Sequence, residues 1–113
     1  MATYEVKEPA LHLFVDVVIG NGHTGFVEVA DPPSREERER VTRDLGLAGD
    51  LVNTTVIVVA AVIMRNAKRP LLTVDLYQKD AAGARVNEQT IEAHAPPLNG
   101  RKQRNLSVHV EIF

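Results

Sequence analysis

Few residues in this chain have both the type and the spacing that chemistry needs. Among its four histidines, His12 and His109 sit on the polar side of alternating segments near the two chain ends. If those segments pair, His12, Asp16, His109 and Glu111 share one exposed surface. Two imidazoles and two carboxylates could hold zinc or nickel there. No His-x-His or His-x-x-x-His spacing accompanies them, so solvated strand-face histidines are the plainer account, and neither a metal nor another cofactor is expected. The run Gly20-Asn21-Gly22-His23-Thr24-Gly25 satisfies G-x-G-x-x-G. A dinucleotide fingerprint requires a helix to begin at that point. Here Phe26-Val27-Glu28-Val29 follows, an extended pattern, so the glycines predict a turn, one that could still aim N–H groups at an anion. The two serines, Ser34 and Ser107, lie on no strained elbow, and Asp31, Asp50 and Asp80 are too scattered for calcium. Asn53-Thr54-Thr55 and Asn105-Leu106-Ser107 match the glycosylation pattern but carry weight only in a secreted chain.

Basic residues form the more informative pattern. Arg65, Lys68 and Arg69 fall in one predicted loop, and Arg101, Lys102 and Arg104 in another, together six of the 13 lysines and arginines. Neither stretch, 65–70 or 95–104, contains Asp or Glu. If successive strands reverse direction, these loops and the glycine-rich turn with His23 meet at one end, opposite a crossover. That end would then be a cationic rim for an acidic partner or an anionic ligand. Loop cations that serve solubility are the competing account, and a different strand order would scatter them. The chain's net charge of −2 and 4% aromatic content argue against nucleic acid.

The elements that must position these residues are mostly strands. Leu11, Leu13, Val15, Val17 and Ile19 alternate with polar positions, and the turn at 20–25 joins them to a second strand over 26–30, reading as a hairpin. After Asp31-Pro32-Pro33, Ser34 stands three residues before Glu37, the spacing of a capping box. With Glu36/Arg40 and Glu39/Arg43 at i,i+4 and Gly46 beyond, this predicts a short crossover helix over 35–45. Its apolar stripe, Val41 and Leu45, is thin. Residues 54–64 are β-branched and apolar on both sides, which calls for cover on both faces, by the helix or by a second copy of the chain. Strands over 72–77, 86–94 and 106–112 follow. The polar one, 86–94, suits a sheet edge.

With 113 residues, 44% hydrophobic and 25% charged, the chain predicts one domain over 1–113 with a single core. Thiol chemistry, cysteine-ligated metals and disulfides are excluded by the absence of cysteine. The longest apolar run, 56–64, is nine residues, far short of the roughly 20 that span a bilayer. No signal peptide is visible, so a cytoplasmic location is the expectation. The predicted fold is mainly β: an antiparallel sandwich, immunoglobulin-like or C2-like, or a small barrel, with about six strands and one short helix. The immunoglobulin Cys…Trp…Cys pattern is absent. The expected function is a non-enzymatic binding or assembly module, oligomeric through 54–64. A metal or small-molecule enzyme using His12, Asp16, His109 and Glu111, or a structural subunit of a larger particle, are the alternatives.

Overall fold

The computed structural model describes residues 2–29, 36–95 and 103–113. The chain forms β1 (Ala2–Tyr4), β2 (His12–Ile19), β3 (Thr24–Val29), β4 (Arg40–Leu47), a one-turn α1 (Ala48–Leu51), β5 (Thr55–Ile63), β6 (Leu71–Lys79), β7 (Arg85–His94) and β8 (Gln103–Ile112). The strands make two four-stranded sheets packed face to face, in the orders β1-β8-β5-β3 and β4-β2-β6-β7. Pairing is antiparallel throughout except between β1 and β8. This is the expected β-sandwich, and the sheets do not close into a barrel.

Alternation builds the core. Leu13, Val15, Val17 and Ile19 from β2 and Leu72, Val74 and Leu76 from β6 face Val56, Val58, Ala60 and Val62 from β5 and Val108, Val110 and Ile112 from β8. Each is at most 6% exposed, so the period-two patterns of β2, β6 and β8 mark their inward sides, whereas in β5, apolar on both sides, pairing decides which side meets the core. Polar β7 lies at the edge of its sheet, as its composition predicted. Its turn is set by Asp80, whose Oδ1 accepts the N–H groups of Ala82 and Ala84, both at 2.9 Å, before Gly83 at φ +82°.

Two sequence expectations are overturned. First, β2 and β3 form no hairpin, because the chain leaves one sheet at Gly20 and enters the other at Thr24. Second, the helix expected over 35–45 does not form among the described residues of that stretch. Residues 40–47 are β4, paired antiparallel to β2 with Val17 opposite Val41. A spacing of four, Val41 to Leu45, fits a helix turn and also two steps of a strand. Pairing with β2 settles the ambiguity, since it satisfies the β2 backbone and sets Arg40 and Thr42 beside Asp16. The expected Glu36/Arg40 and Glu39/Arg43 pairs give way to Arg40–Asp16 and Arg38–Glu36. Gly46 does take a positive φ, +94°, but inside the strand rather than after a helix. Ser34 lies outside the described residues. Among the described residues the short helix is α1, which follows β4.

Candidate functional site

The registers bring several connections to one end of the sandwich. Ile19 ends opposite Leu72, Thr24 starts opposite Ile63, His94 ends opposite Leu71 and Gln103 starts opposite Ile63. The 20–23 turn, the 64–70 loop, the end of β7 and the start of β8 therefore share one pole. Side chains knit the first two together. Asn21 Nδ2 donates to Arg69 O at 2.8 Å, and Asn66 Nδ2 donates to Asn21 O at 2.8 Å. Asn21 at φ +62° and Gly22 at +80° make the turn tight enough for this.

His23 is the keystone of the pole. Its ring is fully buried. Nδ1 accepts the Arg65 N–H at 3.0 Å and Nε2 donates to Lys68 O at 2.9 Å. The sequence placed His23 on the rim as a ligand-facing group; burial corrects this, and the residue is a brace. Lys68 and Arg69 are exposed, with no carboxylate partner among the described residues. Arg65 is exposed but paired with Glu37, which also accepts from Thr24 Oγ1. Arg104, half-buried, shares the side of β8 that carries Leu106 and Val108 to the core. Arg101 and Lys102 lie outside the described residues.

The rim is less purely basic than expected. The crossover does not stay at the far end. Gly25 and Arg38 exchange backbone hydrogen bonds at 3.0 and 2.8 Å, which places Glu36, Glu37 and Glu39 near the same pole. The Thr24 hydroxyl, followed by the Arg65 guanidinium, holds the Glu37 carboxyl below the usual carboxylate range.

The candidate metal group does not assemble. His12 and Asp16 lie on the outer face of one sheet, and His109 and Glu111 on the outer face of the other. No group of three potential ligands is found among the described residues. His12 Nδ1 instead donates to the Asp44 carboxylate at 2.9 Å. Asp16, only 1% exposed, accepts from Arg40 Nε and Thr42 Oγ1, both at 2.9 Å, with Arg85 at 3.5 Å. Arg85 also covers the Tyr77 ring at 3.9 Å, Tyr77 stacks on Phe14 at 5.7 Å, and Lys79 lies 4.8 Å over Phe14. Sequence reasoning missed this network. Its one visible trace was a charged residue, Asp16, between Val15 and Val17.

The outer faces thus differ. The Asp16 face is polar and satisfied by its own partners. The opposite face carries Ile57, 44% exposed, with half-buried Val59, Ala61, Ile63 and Phe26 around it. A shallow hollow lies there, lined by Glu28, Thr55, Ile57 and Val59. Among the described residues no helix covers it, since the chain expected to supply one is β4 in the other sheet. No helix among the described residues is long and apolar enough to cross a membrane. The chain matches no known family model, curated protein or solved structure.

Proposed function

We propose that this chain is a non-enzymatic docking module whose loop pole receives an acidic protein partner. The observation that supports it is the pair Lys68 and Arg69, exposed without a carboxylate partner among the described residues, on a loop held in shape by Asn21 and His23. A preorganised loop loses little freedom on binding, and two cations side by side on a chain of net charge −2 create a local field of opposite sign to the whole. Binding of poly-L-aspartate at low salt tests it. Reversing both charges, Lys68→Glu with Arg69→Glu, is expected to weaken binding about tenfold or more, because each reversal removes an attraction and adds a repulsion. Wild-type binding should also weaken steeply with added salt. An unchanged affinity in the double variant overturns this reading.

A second reading rests on Ile57. An apolar strip along a central strand, bordered by polar β8, suits self-association through the outer face of β5. Sedimentation at rising concentration is expected to show a dimer or larger species that Ile57→Glu returns to monomer. A wild-type monomer at every concentration removes the case.

A further inference from the structure

We propose that His23 is an acid-sensitive brace: its neutral ring holds the 64–70 loop in docking shape, and a second proton on the ring releases it. The proposal rests on the docking role of the pole and adds its regulation. The argument begins with the partners of the ring. An N–H arrives at Nδ1 from Arg65, so Nδ1 has a lone pair and no proton. The Lys68 carbonyl meets Nε2, so Nε2 carries the proton. The ring is therefore neutral and in one tautomer. A proton added at Nδ1 would point at the Arg65 N–H. Two donors would then face each other in a fully buried site, and the Arg65 amide would lose its acceptor.

The ring spans both ends of the segment 65–68, so losing the Nδ1 bond loosens the loop at Arg65, while the Asn21 bond to Arg69 O does not depend on the ring. The elements meeting here bring charges of both signs. Arg65, Lys68 and Arg69 come from the loop, Arg104 from β8, and Arg38, Glu36 and Glu39 from the crossover, with Arg38 paired to Glu36. Glu37, the carboxylate beside Thr24, is already engaged by Arg65 and Thr24. His94 at the end of β7 pairs with Glu92. Because Glu37 stays ionised below the usual carboxylate range, it does not itself titrate where histidines do. Loop order is thus present at higher pH and lost on acidification.

The experiment has two readouts. Hydrogen exchange at the Arg65 amide of the full chain, corrected for intrinsic rates, reports the brace without any ligand. Poly-L-aspartate, ionised throughout, reports docking. From about pH 8 to pH 5, protection of the Arg65 amide is expected to fall about tenfold or more in the wild type and to stay level in His23→Gln, whose amide cannot titrate. Poly-L-aspartate affinity should fall with it in the wild type alone. A level wild-type profile, or ring nitrogen NMR that puts the neutral proton on Nδ1, overturns the brace even where poly-L-aspartate binds. If His23→Gln does not fold, those two wild-type measurements decide. A responsive amide with no poly-L-aspartate binding at any pH sustains the brace and removes the docking role instead.

Discussion

Replacing Gly25 with alanine is expected to destabilise the fold by about 3 kcal/mol, the upper end of what overpacking costs, and to lower Tm by more than about 10 °C for a domain of this size. Gly25 is paired on both sides: it lies opposite Val62 of β5 and exchanges backbone hydrogen bonds with Arg38. A Cβ built there would run into the Ala61 carbonyl oxygen, with the Ala61 carbonyl carbon at 3.1 Å and Ile19 Cδ1 at 3.0 Å. The obstruction is chiefly backbone, so it cannot move aside without opening the β3–β5 ladder. The glycine is needed for closeness of approach and not for a positive φ. Trimming the one side-chain neighbour, in Gly25→Ala with Ile19→Val, should therefore recover little. Thermal unfolding that finds Gly25→Ala within about 1 kcal/mol of wild type, or fully restored by the Ile19 change, contradicts this account.

The second large effect belongs to Asp16. Burial alone would raise its carboxyl pKa; hydrogen bonds from Arg40 and Thr42, the Arg40 charge and the Arg85 contact outweigh it and set the group below its ordinary value. A carboxylate with a lowered folded pKa contributes stability above the unfolded pKa and loses it as pH falls through the folded one. Asp16→Asn keeps the shape and removes the charge. At pH 7 it is expected to cost about 2 kcal/mol, in the range for hydrogen bonds to charged groups. Arg40 and Arg85 are 60% and 38% exposed at the side chain, and they can turn to water, which keeps the loss below that of a fully buried pair. Denaturant unfolding at pH 7 and near pH 2 should show the gap between variant and wild type closing in acid. A gap that stays constant would mean that the Asp16 charge is not what stabilises the face.

These two residues also mark how much of the protein can be read from its residues in order. Gly25 was legible as part of a turn but not as a point of close approach, because the wall it faces, Ala61, is 36 positions away. Asp16 was legible as a polar-face carboxylate and a candidate metal ligand, yet its partners Arg40 and Arg85 come from β4 and β7, on either side of β2 and β6. The cations of the 64–70 loop were legible as composition. Their acidic neighbours were not, because the expected helix would have kept Glu36, Glu37 and Glu39 at the far end. His23 looked like a surface group because it stands among glycines, and only the return of the 64–70 loop buries it.

Local pattern was sufficient to establish the β class, the inward side of β2, β6 and β8 and the edge position of β7. Each of these follows from side-chain alternation or polarity within one strand. Strand partnership, the strand nature of 40–47, the sheet change at Gly20 and the separation of His12 from His109 depend on contacts between distant parts of the chain. Alternation says which side of a strand is buried and is silent about which strand lies beside it. That choice comes from packing and hydrogen bonding of the whole sandwich, where Asp16, His23 and Gly25 each admit one arrangement of their neighbours.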